Sequence, residues 1–520
     1  MRTSTVKTLS RKQITFLALV ALLLAAFPLG ARSQASPAND SFTVAFQTQF
    51  DTMDQYKNSQ RSILNLGYLI WDPLVERNPD DCSIKPHLVT SWNMVDPTTW
   101  EFKLRPGVKF HNGNPLTAEC VRFTLEDRIL NPEQKSPHAG NYKWVKSVQV
   151  IDELTFRIVT EKPYPLILER LNVLFVYDPI YTKEKGDRVV SEFPMGTGPY
   201  KFVKWDKGSK VVLTANKDYW KTGVPKIKDL TIRTIPEMST RIAELISGGI
   251  DSAEYIVPDQ VPLLEKHPNV KVMDTATLRT NFWQFDGSGR ASKSPLTDVR
   301  VRRAICHAID RATITKTVLK GYGKAMNTAV NPFQFGYDPA LKAYEYNVEL
   351  AKSLLKEAGY PNGFEIDLWE GESEQDAYNQ AAMGYLAKVG IKVNLKDYRA
   401  NLGQLITLRN SGKVTGIGNY AWGNYNIFDA DAILAAWFLS TDPKCYNPDP
   451  ELEGWINEAR ISVDPEKRKE LYFKAQQRIS EQAYWMPICA FHNIHGVNKK
   501  LNYKIGIDDV PRFQYAEWAK

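Results

Sequence analysis

Beyond residue 35 the chain alternates between two hydrophobic periodicities, one helical and one strand-like, with no repeat of fixed length. A helix with one apolar stripe and a strand with one apolar face must each be buried against another element, so this mixture calls for packed layers of helix and sheet. Coiled coil, collagen and low complexity are excluded, and the texture is α/β or α+β. Trp100, Phe102 and Leu104 alternate with polar residues, Pro106-Gly107 marks a turn, and Val108 and Phe110 resume the alternation, which predicts a hairpin over residues 99–111. A helix is expected next, capped by Thr117, with Glu119 in its first turn and Val121, Leu125 and Ile129 stacked on one side. A second hairpin should run from Val148 and Val150 through Asp152-Glu153 to Phe156 and Ile158. Val301, Ala304, Ile305, Ala308 and Ile309 make one helical stripe. Ala351, Leu354, Leu355 and Ala358 make another, bounded by Asn347 as cap and Gly359 as terminator. Asp464-Pro465 opens a third, with Leu471, Ala475 and Ile479 on one face.

The length of 520 residues allows two to four domains at about 150 residues each. Residues 1–35 hold Arg2, Lys7, Arg11, Lys12 and Arg32 and no acid, so they carry five of the net +7 charges and leave +2 for the rest. A nucleic-acid binder keeps a strong positive field in its folded part, and this chain does not. The basic start, the apolar residues 14–27 and Ser33-Gln34-Ala35 follow the order of an export signal cleaved after Ala35. A membrane anchor is the alternative, but the apolar run is shorter than the roughly 20 residues of a spanning helix. Ser10-Arg11-Lys12-Gln13-Ile14 leaves both the general and the twin-arginine export routes open. The first cysteine is Cys82, so no lipid anchor on a terminal Cys is expected and the mature protein should be free in the exported compartment.

Five cysteines in an oxidising compartment leave at least one unpaired; a Cys82–Cys120 bridge is one expectation, and Cys306 reads as a small buried hydrophobe. No phosphate-binding loop, dinucleotide fingerprint, nucleophile elbow or H-E-x-x-H motif occurs, so no catalytic residue is assigned. His492 and His495 are the closest pair among seven His, and no metal or cofactor is expected. Asp80-Asp81 and Asp508-Asp509 read as solvated turns. The segment Trp422-Gly423-Asn424-Tyr425-Asn426-Ile427-Phe428-Asp429 offers aromatic and neutral polar groups suited to stacking on and hydrogen-bonding a ligand. A packed, capped loop is the alternative.

Several segments point the same way. They are Ile84-Lys85-Pro86-His87-Leu88-Val89-Thr90-Ser91-Trp92, then Phe102-Lys103-Leu104-Arg105-Pro106-Gly107-Val108-Lys109-Phe110-His111-Asn112-Gly113 with Leu116-Thr117-Ala118-Glu119. Gly196-Thr197-Gly198-Pro199-Tyr200, Asn216-Lys217-Asp218-Tyr219-Trp220, Val299-Arg300-Val301-Arg302-Arg303-Ala304 with Ala308-Ile309-Asp310-Arg311, and Leu354-Leu355-Lys356-Glu357-Ala358-Gly359-Tyr360 follow in order. In these the chain resembles the periplasmic solute-binding proteins of peptide-, nickel- and opine-type ABC importers, extracellular solute-binding protein family five.

The resemblance implies an α/β, two-lobed fold with an extra domain and a cleft closed by a hinge. Domain one would take residues 36–75, 198–290 and 495–520, domain two 76–197 and domain three 291–494. Gly196 and Gly198 would supply unusual dihedrals at a domain crossing. The implied function is capture of a small polar solute, a peptide, opine or sugar conjugate, by a monomer that delivers it to a permease driven by a separate ATPase. A secreted hydrolase or a chemoreceptor ligand carrier is the alternative. In peptide binders of the family an Asp after a Trp pairs with the peptide amine. Here that position falls on Asn424 or Asn426, which favours a blocked or hydroxyl-bearing group over a free amine. Candidate ligand-binding residues are Trp422, Asn424, Tyr425, Asn426 and Asp429, with Trp283, Phe285 and Trp369 as a further wall; for Asp429 a turn or capping role is the main alternative.

Overall fold

Ten strands form one path through the largest sheet of the computed structural model, which describes residues 40–372, 375–423 and 427–519. In spatial order they are Ile391–Asp397, Phe364–Glu370, Ile417–Trp422, Val270–Phe285, Trp485–Asn498, Ser252–Ala253, Ser41–Phe46, Asp229–Thr234, Lys210–Ala215 and Tyr200–Asp206. Gly323–Ala325 adds to Trp485–Asn498 off this path. Phe364–Glu370 and Ile391–Asp397 are parallel, and the helix Asp376–Ala387 makes the crossover such a pair needs. A separate antiparallel sheet of four strands, Val89–Asp96, Thr99–Leu104, Thr155–Thr160 and Val145–Val150, packs Phe102, Phe156 and Ile158 on its buried face. The expected export signal and its expected cleavage site after Ala35 lie outside the described residues.

Two long strands hold the large sheet together. Val270–Phe285 and Trp485–Asn498 pair over two stretches, from Val270 to Ala276 and from Thr280 to Gln284, with a register shift between. The first stretch lies on the side of Ser252–Ala253, and the second lies beside Ile417–Trp422. Thr277, Leu278 and Arg279 fall in the shift.

The second hairpin forms as expected, with Val148 opposite Ile158 and Val150 opposite Phe156. The first does not. Thr99–Leu104 pairs with Val89–Asp96 and Thr155–Thr160 instead, and Val108 and Phe110 are buried without joining a sheet, because both edges of that strand are already occupied. Thr117 precedes the helix Ala118–Arg122, which continues as the wider π-helical Phe123–Leu130; Val121, Leu125 and Ile129 are fully buried. Asn347 caps Val348–Glu357 by accepting from Leu350 N, Gly359 takes a positive φ of 90°, and Asp464 caps Pro465–Glu481. Ile309 ends the stripe of Val299–Ala308 as an extended residue.

The glycines of residues 196–200 act by close approach and not by left-handed dihedrals. A Cβ on Gly196 would meet Ile70 O at 2.1 Å, one on Gly198 would meet Ile70 C at 2.6 Å, and Gly198 N donates to Ile70 O at 2.9 Å. Cys82 and Cys120 are not bonded. All five cysteines are free thiols, and burial pushes Cys306 and Cys489 up to about 12.

Candidate functional site

A cavity of about 490 Å³ opens at the register shift, with Thr277, Leu278 and Arg279 in its lining. Gln47, Thr48, Arg61, Tyr255 and Asp509 approach from one half of the sheet, and Glu372, Leu405, Arg409, Asn419, Tyr420 and Trp422 from the other. The volume falls in the range that encloses a small ligand.

The lining carries both signs of charge. Arg279 Nη2 pairs with Glu372 Oε2 at 2.8 Å, and its guanidinium lies 5.1 Å from the Phe491 ring centroid. Asp509, held at φ 62°, accepts from Tyr255 OH at 3.1 Å and from Asn493 Nδ2, and Arg61 Nε lies 3.7 Å from it. Burial pushes its carboxyl above the usual carboxylate range; the neighbouring Glu254, also desolvated and facing Asp509, is pushed up to about 8. Asp508 is buried and pairs with Arg512 at 2.6 Å. The expectation of a solvated turn is therefore corrected for Asp508-Asp509, whereas Asp80 and Asp81 are exposed.

Arg409 is the exception in this balance. It closes the helix Leu402–Asn410, is 9% exposed, and has its guanidinium 5.2 Å from the Tyr420 ring centroid and 5.0 Å from that of Trp437. Nε and Nη2 both donate to Asn410 Oδ1 at 3.1 Å. Among the described residues no carboxylate pairs with it and Nη1 has no partner. Burial pulls its pKa below the ordinary arginine value, but the group stays cationic at neutral pH. Its only close hydrogen-bond partner among the described residues is thus one neutral amide, with Asp442 acting on it from beyond ion-pair distance. Sequence reasoning passed over Arg61, Tyr255, Arg279, Glu372, Arg409 and Asp509, because no local motif marks residues that only the chain's return through the sheet brings together.

Of the residues expected to bind ligand, Trp422 lines the cavity, with its ring 5.8 Å from Trp437 and Lys444 Nζ 5.6 Å from its centroid. Asn424, Tyr425 and Asn426 lie outside the described residues. Trp283 and Phe285 project to one side of their strand as read, but into the core, both fully buried. They are not a wall of the cleft. Trp283 still acts behind that wall: its Nε1 donates to Asn379 Oδ1 at 3.1 Å, and the same oxygen accepts from Asn419 Nδ2 at 2.7 Å. Trp369 stacks on Tyr398 and donates to Thr415 O, outside the cavity lining. Asp429 is buried, pairs with Arg468 at 2.6 Å and accepts from Tyr472 OH at 2.9 Å, so it holds its own lobe together and does not face the cavity. His492 bonds Asp274, while His495 is buried against Tyr503 and pushed down to about 3 by burial; three residues apart on a strand, they do not converge.

Residues 83–445 match the bacterial extracellular solute-binding proteins, family 5 Middle. The glutathione-binding protein GsiB of Escherichia coli (strain K12) is 27% identical over 470 residues, covering 88% of this chain and 90% of that protein. The heme-binding protein A of Haemophilus influenzae is 28% identical over 460 residues, 81% of each chain. The solved structure of the ABC transporter-associated periplasmic binding protein DppA from Helicobacter pylori, in complex with peptide STSA, is 26% identical, covers 92% of this chain and 98% of its own, and superposes with a TM-score of 0.77. The fold is that of two-lobed periplasmic binding proteins, and the chain belongs to the bacterial extracellular solute-binding proteins of family 5, which serve ABC importers.

Proposed function

We propose that this chain captures a peptide- or opine-sized solute bearing at least one carboxylate in the cleft between its lobes. It then hands the solute, chemically unchanged, to a membrane permease driven by a separate ATPase. Arg409 carries the reading, because a buried guanidinium without an anionic partner is completed by a bidentate carboxylate from the ligand. Asp509, Tyr255, Glu372 and Arg279 supply donors and acceptors for the polar remainder. GsiB and DppA, by their names, bind glutathione and a peptide, both of which have carboxylates. Among the described residues the cavity lining holds no His, Cys or Ser, and the carboxylates Glu372 and Asp509 in it are engaged by Arg279 and by Tyr255 and Asn493, which speaks for binding over the hydrolase alternative. The reading also takes export with cleavage after Ala35, action as a monomer, and lobes with the domain limits inferred from the sequence.

Native mass spectrometry of protein purified without refolding should release a bound solute of this class. Titration calorimetry with glutathione and with free and amino-acetylated di- and tripeptides should give one-to-one binding, weakened at least tenfold by Arg409→Gln. Affinity for every binder unchanged in that variant, or turnover of the bound solute, would refute the proposal.

A further inference from the structure

Beside the cleft lies a second cavity, of about 200 Å³, which shares Trp422 with the first. Its other walls come from residues 55–64, from the short helix Ala139–Tyr142 and from residues 170–175. The Tyr56 hydroxyl is engaged by Phe175 O at 2.6 Å, and that of Tyr142 by Arg170 O at 3.2 Å. Both tyrosines therefore spend their polar ends on backbone and leave ring surface to the cavity beside Ile63, Leu64, Val173 and Phe175. No Asp or Glu lines it, and its one permanent charge is that of Arg170, whose Nε donates to Tyr164 OH at 3.2 Å. His138 gives Nε2 to Asn58 O at 2.9 Å, and burial lowers its pKa, so it adds no charge at neutral pH. Gln55, 4% exposed, has an amide Nε2 that is buried and without a partner.

We propose that this cavity is a side-arm subsite, in which the solute held at its polar end in the main cleft inserts an aromatic or branched aliphatic group past Trp422, with an acceptor at its tip facing Gln55. The proposal rests on the reading that the main cleft holds a polar solute. An apolar cavity of about 150 Å³ already accommodates benzene, so the volume here suits a Leu- to Tyr-sized arm. Apolar wall surface selects such an arm because burying it removes its surface from water, and the unpartnered Gln55 amide together with the Arg170 cation favours an acceptor such as a hydroxyl or carbonyl over a cationic tip.

The two readings separate experimentally. Phenol and p-cresol, followed by ligand-observed NMR on the full chain, should bind saturably. Val173→Phe, which fills the cavity, should weaken that binding at least tenfold, and Arg409→Gln should retain it. Absence of binding to the wild type, or equal binding to Val173→Phe, overturns the subsite whatever the peptides do. By calorimetry, Phe-Ala or Ala-Phe should bind roughly tenfold more tightly than Ala-Ala, and the ratio should fall to about one in Val173→Phe. Identical affinities across the three wild-type titrations also overturn it. If Arg409→Gln leaves peptide affinity unchanged while the phenol result holds, the carboxylate reading fails and the subsite stands. Should Val173→Phe not fold, Leu64→Ala enlarges the cavity and must shift preference from phenol toward 2-naphthol; an unchanged preference counts against the subsite.

Discussion

Trp422 and Arg409 both pack on Trp437, Asp429 pairs with Arg468, and these partners separate their roles. Trp422 lies on the wall of the main cleft, of the side cavity and of a third hollow beside Asp431 and Arg460. Trp422→Ala should weaken solute binding by about 1–3 kcal/mol through loss of a stacking wall, with an unchanged circular-dichroism spectrum. Unfolding at unchanged affinity per folded molecule would make it a core residue. Asp429→Asn should behave in the opposite way, because it leaves Arg468 buried without its anion: about 3 kcal/mol lost in chemical denaturation and no change in affinity. The aromatic character of this loop was legible in the sequence, since Trp and Asp stand out locally. Which of the two faces solvent was not, because Arg468 is 39 residues away and reaches Asp429 only through the packing of the helix Pro465–Glu481.

At the scale of elements, the segment carrying Asp72, Glu76 and His87 is pinned to the start of the strand Tyr200–Asp206 and its neighbours. His87 Nε2 meets Asp72 Oδ1 at 2.8 Å and Nδ1 meets Glu76 Oε2 at 3.2 Å, while Asp72 also accepts from Thr197 Oγ1, Tyr219 OH and Trp220 Nε1. Burial opposes a charge on the imidazole, but the two carboxylates outweigh it and raise His87 to about 9. Burial likewise opposes the charge of Glu76, and His87 and the nearby cations hold it down to about 2. A folded-state pKa raised from 6.5 to about 9 gives stability that is full below pH 6.5 and lost as pH rises through 9. The Glu76 shift gives stability that is full above pH 4.5 and lost as pH falls toward 2. Chemical denaturation should therefore show greatest stability from this triad between about pH 4.5 and 6.5, with about 3 kcal/mol lost by pH 9. His87→Gln should be less stable at pH 6 and lack the alkaline decline. Helices such as Val348–Glu357 were readable because caps and stripes are local. The hairpin over residues 99–111 misread its partner, because sheet pairing is settled by strands that arrive from elsewhere in the chain.

For the whole molecule, Phe428 ties the segment after Trp422 to residues 77 and 169: Phe428 N donates to Glu169 Oε2 at 2.8 Å, and Arg77, paired with Glu169, lies 4.0 Å from the Phe428 ring centroid. With the lobes as proposed, these contacts bridge the cleft, so Phe428→Ala should lower solute affinity about tenfold and enlarge the radius of gyration of the liganded protein in small-angle scattering. Unchanged affinity and radius would assign the contacts to packing alone. The mixed helix-and-sheet class, the helix boundaries and the family were determined by the sequence itself, because periodicity, caps and ordered motifs are carried by neighbouring residues. Only the tertiary structure decided the site. It gathers Arg61, Tyr255, Arg279, Arg409 and Asp509 from distant segments at the register shift of two long strands. It also decided which charges are paired and which, like that of Arg409, have no carboxylate within ion-pair distance, since pairing depends on distance in space and on desolvation, and neither is encoded in local spacing.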